Sequence, residues 1–171
     1  MTPSGRTVIA DATVLIFIDQ LRLTDLLRQL YDRLLVPELV RDEIERGRQK
    51  GDPGPDIARL PWIEVRAVPP ASPELKRFRL HAGEAAVLSL ALSLRPLEVY
   101  VLMDDREGRA AAASLGIDRT GILGVLVEAK TAHLIPSVKP HFQHLVAAGF
   151  WINPAVLESA LDLAGESLEG D

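Results

Sequence analysis

The most informative stretch of the sequence is Thr7-Val8-Ile9-Ala10-Asp11-Ala12-Thr13-Val14-Leu15. An apolar run of the length of a buried strand ends at Asp11, and apolar residues resume directly afterwards. In a parallel α/β sheet, a polar residue that follows a strand lies in the crevice where ligands bind. A buried carboxylate there needs a cation or hydrogen-bond donors, because an unpaired charge is unstable in an apolar interior. Asp11 is therefore either a turn or cap residue or the first member of a site.

The composition fits one globular domain and excludes several kinds of site. Of the 171 residues, 47% are hydrophobic and 25% are charged, which is ordinary for a soluble domain. The chain has no cysteine, so disulfides and thiolate metal sites are excluded. A formal net charge of −5 argues against nonspecific coating of nucleic acid. It leaves room for clustered acids beside a separate basic face.

The chain shows neither a secretion signal nor a membrane segment. Residues 1–6 lack the charged and apolar pattern of a signal peptide. No apolar run reaches the length that spans a membrane. We therefore expect a cytoplasmic protein with no membrane partner.

Strand and helix patterns alternate along the rest of the chain. Strands are predicted at 7–10, 34–36 and 99–103, with an edge strand at 63–66 and a short extended piece at 117. Helices are predicted at 25–31 with Thr24 as N-cap, and at 37–47, 83–94, 107–115, 122–132, 137–148 and from Asn153-Pro154 onward. This alternation predicts a three-layer α/β/α sandwich with a central parallel sheet. We expect a single domain over 1–171, with a C-terminal helical extension at about 136–171.

Two glutamates are predicted to project from apolar helix faces. Glu43 lies between Leu39 and Val40 on the apolar side of its helix, as successive residues advance by about 100°. It is either a boundary residue that reaches water or an arginine, or an acid directed at the sheet. Glu84 shares a face with apolar residues in the first turn of its helix, where the helix dipole alone also favours an acid.

The pair Asp104-Asp105 follows an apolar strand and so repeats the arrangement at Asp11. One member of such a pair usually points inward while the other caps the next helix. Four separate segments thus bring acids to strand ends or helix faces, where mutual repulsion would raise their pKa values unless a divalent cation is shared. Oxygen ligands without cysteine or a histidine pattern favour Mg²⁺ or Mn²⁺. Thr13 is either a helix cap or a hydroxyl donor to this site.

Several other features carry weaker predictions. Basic residues precede Glu84 or flank the aspartate pair and are candidates for phosphate contact: Lys76, Arg77, Arg79, Arg106 and Arg109. Thr120 and Gly121 begin a helix whose free N–H groups could receive a phosphate. Trp62 and Trp151 are interpreted as packing residues rather than nucleobase platforms, and His141 and His144 as surface residues.

Taken together, these segments resemble the PIN domain, the nuclease fold of VapC-type toxins, and more closely a PIN-like family common in bacteria and archaea. The segments that carry the resemblance are 8–16, 36–44, 83–87, 102–106 and 121–130. By position, Asp11, Glu43 and Glu84 match the family's first three acids, and the fourth falls on Asp104 or Asp105. Thr13 occupies the family's hydroxyl position. Two residues depart from the family pattern: Ala12 replaces the commoner threonine or serine after the first acid, and Glu84 stands where many toxins have aspartate.

The resemblance implies a magnesium- or manganese-dependent endoribonuclease that acts as the toxin of a toxin–antitoxin pair. Its implied catalytic and metal residues are Asp11, Glu43, Glu84, Asp104 and Asp105, with Thr13 in support. Asp11 and Asp105 (or Asp104) are the expected direct ligands. RNA is the implied substrate, an antitoxin protein is an implied partner, and a homodimer is the expected assembly.

Two other readings remain open at the level of sequence. A PIN-like module without nuclease activity would act as a binding or regulatory partner. A phosphoacceptor receiver domain would instead carry its acidic pair after the first strand and a lysine at the end of a late strand. Here the pair follows a later strand and Lys130 falls within a predicted helix, which disfavours the receiver reading.

Overall fold

A parallel sheet of five strands lies at the centre of the computed structural model, which describes residues 6–169. Its strands are β1 (Thr7–Ala10), β2 (Arg33–Pro37), β3 (Ile63–Arg66), β4 (Val99–Leu102) and β5 (Asp118–Thr120). They pair in the order β3-β2-β1-β4-β5, and every pairing is parallel. The predicted parallel sheet is thereby confirmed, with Ile63–Arg66 at one edge as expected.

The described residues also form eight α-helices and two short 3₁₀ segments. The helices are α1 (Ala12–Gln20), α2 (Thr24–Leu30), α3 (Glu38–Gln49), α4 (Ala82–Ser93), α5 (Arg106–Ser114), α6 (Ile122–Thr131), α7 (Lys139–Ala147) and α8 (Pro154–Ala164). The 3₁₀ segments cover Ile57–Arg59 and Pro73–Arg77. Each predicted helix is present, and their ends differ from the predictions by one or two residues.

The sheet has a switch point between β1 and β4. From β1 the chain moves outward through β2 to β3, and then returns to place β4 and β5 on the other side of β1. In such sheets, ligands bind in the crevice at the carboxyl ends of the two strands that flank the reversal. Ala10 and Leu102 are register partners at those ends, so the residues that follow them enter one crevice.

The central strands are buried on both faces, which explains their unbroken apolar sequences. All four residues of β1 are buried, as is typical of a parallel strand covered by helices on both sides. Helix α4 packs against β1, β2 and β4, while α1 and α2 contact α6 in a different group. These contacts produce the predicted α/β/α sandwich.

Three local predictions are wrong. Thr24 is the first residue of α2 rather than its cap, and its hydroxyl donates to Asp19 at 3.2 Å. Pro37 ends β2 and serves as the N-cap of α3 rather than lying in the first helical turn. Trp62 packs partly against the core as predicted, but Trp151 is 78% exposed and is not a packing residue.

The predicted absence of a leader concerns residues 1–6, and all of these except Arg6 lie outside the described residues. Over residues 6–169, none of the helices combines the length and the apolar character needed to cross a membrane.

Candidate active site

Asp11 is a buried carboxylic acid at the carboxyl end of β1. It caps α1, because its Oδ1 accepts a hydrogen bond of 2.9 Å from the backbone N–H of Val14. Burial, opposed in part by that bond, and then the nearby charges of Asp104 and Glu84 raise the pKa of Asp11 to about 8. The charged form of Asp11 is therefore poorly balanced by the protein around it.

Asp104 and Asp105 divide their roles as the sequence predicts. The Asp105 side chain caps α5 by accepting a 2.8 Å hydrogen bond from the N–H of Gly108. Asp104 points to α6, where the N–H of Ile122 lies 3.2 Å from Oδ1 and 3.1 Å from Oδ2. Burial raises the pKa of Asp104, although Ile122 and Arg109 oppose the rise. Asp104 is thus the inward member, and the charge interaction with Asp11 involves this residue.

Glu84 contributes a carboxylate oxygen that the surrounding protein leaves unsatisfied. Its Oε2 is buried and, within residues 6–169, has no hydrogen-bond partner. The residue lies in the first turn of α4, which packs against β1 and β4. An unpaired buried carboxylate oxygen is costly, so a cation or a water at this atom would be favourable.

Glu43 is more exposed to solvent than the sequence predicts. The side chain is exposed rather than directed at the sheet, because the buried stripe of α3 is narrow and centres on Val40 and Ile44. Glu43 lies about 60° to one side of Val40 around the helix. Its carboxylate nevertheless faces the start of α4, since a Cβ added at Gly83 would lie 3.2 Å from Oε2. Glu43 therefore borders the same end of α4 that carries Glu84.

Three glycines lie directly against three of these acids. A Cβ added at Gly121 would collide with Oδ1 of Asp104, and one added at Gly108 would lie 3.1 Å from Cγ of Glu84. Gly83 stands in the same relation to Glu43. The close approaches come from three different helix N-termini, and no sequence pattern predicts them. The only sequence signal was the position of each glycine in, or just before, the first turn of a predicted helix.

Two further predictions concern Thr13 and the start of α6. Thr13 is the exposed second residue of α1, and the cap of that helix is Asp11. The hydroxyl-donor interpretation of Thr13 therefore remains, while its cap interpretation is wrong. At the start of α6, the N–H of Ile122 binds Asp104 and is not free for a phosphate.

The chemistry of these acids fits a hard divalent cation. Asp11 is buried near the charges of Asp104 and Glu84, and the Oε2 of Glu84 has no hydrogen-bond partner among the described residues. A bound cation would stabilise the charged form of these carboxylates. Carboxylate oxygens are the ligands that Mg²⁺ and Mn²⁺ prefer. Within the described part of the chain, no three histidine, aspartate or glutamate side chains meet as a ready-made metal cage. Magnesium usually retains several waters and uses few carboxylates, which suits a set of this kind.

Basic residues lie at two distinct distances from the acids. Arg106 and Arg109 line a groove of about 660 Å³ together with Asp104, and Arg109 donates a 3.1 Å hydrogen bond to the carbonyl of Met103. Arg77 instead donates to the hydroxyl of Ser114 at the last residue of α5. With a rise of 1.5 Å per residue, that end of α5 lies roughly 13 Å from Asp105. Arg106 is therefore better placed for phosphate contact near the acids than Arg77.

A doubly wound parallel sheet with carboxylates at its switch point defines a class of α/β proteins built around an acidic crevice. The chain matches the model of the DUF3368 family, described as a PIN domain, over residues 7–166. It therefore belongs to the PIN-domain family, whose members are generally nucleases that use divalent metal ions. No curated protein matches the chain.

Proposed function

We propose that this protein is a Mg²⁺- or Mn²⁺-dependent endoribonuclease and the toxin component of a toxin–antitoxin pair. The observation that carries the proposal is the buried Asp11 carboxyl at the switch point of the sheet, with the charges of Asp104 and Glu84 nearby and the Oε2 of Glu84 buried without a hydrogen-bond partner among the described residues. Membership of a nuclease family supports the reaction class, and the acids support the need for a cation. RNA is the proposed substrate.

The proposed roles of the acids follow from their surroundings. Asp11 and Asp104 would hold the metal, and Glu84 would supply its unsatisfied Oε2. Glu43, which is exposed beside Gly83, and Thr13, which is exposed on α1, would orient waters at the rim. Asp105 would support the site by capping α5. When bound, such an ion lowers the pKa of a water and stabilises negative charge on phosphate oxygens.

The test is cleavage of single-stranded RNA with Mn²⁺ by the full chain and by Asp11→Asn. Asparagine is as good an N-cap as aspartate, so the variant should fold with unchanged cooperativity. We expect it to lose cleavage, together with the thermal stabilisation that Mn²⁺ gives the parent protein. That stabilisation is about 2.7 kcal/mol at a metal concentration of 100 times Kd.

Full activity of Asp11→Asn would reject the assigned site. The matched control is Glu158→Gln, which changes an exposed glutamate on α8. This variant should retain both RNA cleavage and the stabilisation by Mn²⁺.

A second candidate function is a PIN-like binding or regulatory module without nuclease activity. It is favoured by one observation, namely that no three acids of residues 6–169 form a preassembled metal cage. Calorimetry that detects no Mn²⁺ binding, together with no cleavage of any RNA, would support this module over the nuclease.

The antitoxin and the homodimer are further parts of the proposal. Growth arrest on expression of the active protein, relieved by Asp11→Asn, would support the toxin role. Light scattering at several concentrations would measure the assembly state.

A further inference from the structure

Trp151 is an exposed aromatic side chain next to the candidate active site. It is 78% exposed, although tryptophan is usually highly buried. It lines the same groove as Asp104 and Arg106. We name this feature the α6–α8 groove, because α6, α8 and the connection that contains Trp151 line it together with the start of α5. An exposed indole beside the candidate active site is therefore available to contact a ligand that enters the groove.

The backbone around Trp151 is held in place on both sides. Phe150 packs edge-on against Phe17 of α1, with ring centroids 4.9 Å apart and an angle of 70° between the ring planes. The N–H of Phe150 also donates to the carbonyl of Leu145 at 2.9 Å. Two residues after Trp151, the Asn153 side chain caps α8 by accepting from the N–H of Ala155 at 2.9 Å. The indole is therefore presented from a fixed segment, so little ordering is required on binding.

The groove combines apolar and charged side chains. Its lining includes the apolar residues Trp151, Leu123, Val127 and Val156 and the charged residues Arg106, Arg109, Asp104 and Glu128. The Glu128 carboxylate accepts hydrogen bonds from the hydroxyls of Tyr31 and Tyr100, so it is already partnered within the fold. An exposed aromatic face and guanidinium groups in one groove suit a ligand that alternates flat rings with phosphates. A single-stranded nucleic acid has this chemistry, because bases stack on aromatic side chains while basic residues contact the backbone.

We propose that Trp151 stacks on a nucleobase of single-stranded RNA as the strand leaves the carboxylate site, with Arg106 on an adjacent phosphate. The inference rests on the proposed ribonuclease function and adds a substrate subsite to it. Stacking on an aromatic is tolerant of sequence, since every base has a π-face. The subsite therefore fixes the path of the strand rather than its sequence. Guanidinium groups beside an exposed indole favour a strand of RNA, which carries a phosphate at each nucleotide, over a peptide.

The experiment measures RNA binding without metal, so that cleavage does not enter. The probe is a short, labelled oligouridylate in EDTA, with affinity measured by fluorescence anisotropy. Trp151→Ala should weaken binding by about 5- to 150-fold, the range for loss of one stacked base. Trp151→Phe should recover most of the affinity, because a phenyl ring also stacks. Val146→Ala is the matched control, since Val146 is 55% exposed on α7 and lies outside the groove lining.

A second readout reports on the indole itself. The chain has two tryptophans, so Trp62→Phe leaves Trp151 as the only one. Added oligouridylate should quench the fluorescence of this variant, and sodium phosphate at the same phosphate concentration should not.

Each outcome decides the proposal. Unchanged affinity in Trp151→Ala, or no binding by the parent chain, overturns it. Fluorescence of Trp151 that changes with protein concentration alone also overturns it, because the tryptophan would then lie in an interface between two copies. Failure of the nuclease proposal is seen separately: the parent would bind oligouridylate through Trp151 but would not cleave RNA with Mn²⁺.

Discussion

Asp104 and Asp105 are neighbours in the chain, but their carboxylates serve different parts of the structure. Asp105 binds the N–H of Gly108 at the start of α5, and Asp104 binds the N–H of Ile122 at the start of α6. Of these two aspartates, only Asp104 is among the nearby charges that raise the pKa of Asp11. The sequence allows either residue as the fourth acid of the site. From these contacts we propose that it is Asp104.

Asparagine substitutions should separate the two aspartates. Asp104→Asn should weaken Mn²⁺ binding by at least about tenfold, the lower range for loss of a group at a metal site. Asp105→Asn should retain the helix cap and most of the Mn²⁺ affinity, and Asp105→Ala should cost about 1 kcal/mol of stability. Titration calorimetry gives the affinities, and denaturant unfolding gives the stabilities. A stronger metal defect in Asp105→Asn than in Asp104→Asn would reverse the assignment.

Local patterns revealed some of these residues and not others. Asp11 and the aspartate pair could be predicted because an acid at the end of an apolar strand is visible in a few consecutive letters. The contacts of Gly121 with Asp104 and of Gly108 with Glu84 could not, because they join segments that are distant in the chain. No single-sequence pattern reports which backbone will lie against which side chain.

At the scale of elements, two basic residues that the sequence treats alike lie at opposite ends of α5. Arg106 begins the helix beside Asp104, while Arg77 reaches Ser114 at its far end. Both arginines are exposed, so they form a matched pair for substitution. They differ in their distance from the acids, and Arg77 also contacts the Ser114 hydroxyl and the ring of Phe78.

Arg106→Ala should reduce the salt dependence of RNA binding, and Arg77→Ala should not. For single strands, each lost phosphate contact lowers the slope of log K against log salt by about 0.7. Anisotropy titrations of labelled oligouridylate over a series of salt concentrations in EDTA give this slope. If the two variants have equal slopes, Arg106 does not contact the RNA backbone in preference to Arg77.

The elements also show where helix periodicity stops being informative. Periodicity located α3 and placed Glu43 among its apolar residues, but it could not say how wide a stripe the sheet would cover. The structure buries Val40 and Ile44 and leaves Glu43 at the rim. Trp151 is a similar case, because it lies between helices where no periodic pattern indicates which side chains face outward.

At the scale of the whole molecule, one carboxylate ties the C-terminal helices to the rest of the domain. Glu166 follows α8, and its side chain is only 13% exposed. Its Oε1 accepts from Lys130 Nζ of α6 at 2.7 Å and from the N–H of Val138 at 2.8 Å. Its Oε2 accepts from the hydroxyl of Ser137 and from the N–H of Lys139. The same contacts hold the C-terminal end of α8 beside α6.

Glu166 should make the stability of the domain depend on pH. Burial raises its pKa, but the hydrogen bonds from Lys130, Val138, Ser137 and Lys139 outweigh this and lower it to about 2 from the ordinary 4.5. Because the folded pKa is the lower one, the stabilisation is complete above about pH 5 and is lost as pH falls from 4.5 towards 2. Its upper limit is roughly 3 kcal/mol.

Glu166→Gln should therefore be less stable than the parent by about 1 to 3 kcal/mol at pH 7, and the difference should shrink towards pH 3. Asp11 has the opposite effect: because its folded pKa is raised, the stability of the metal-free domain falls as pH rises from about 4 to 8. This effect is the same in both proteins, so it cancels in the difference between their free energies of unfolding. Chemical unfolding at several pH values measures both. A difference that does not vary with pH would show that Glu166 acts by shape and not by charge.

The glycines packed against the acids change how related sequences should be compared with this one. A relative could keep every aspartate and glutamate of the crevice and still carry a methyl group at the position of Gly121, where it would displace the Asp104 carboxylate. A comparison of charged residues alone would score the acids of such a protein as complete, although its Asp104 carboxylate could not occupy the position seen here. Glycines at positions 83, 108 and 121 are thus a separate criterion. A comparison of relatives that scores these glycines together with the acids would identify the proteins in which the acids can adopt the arrangement seen here.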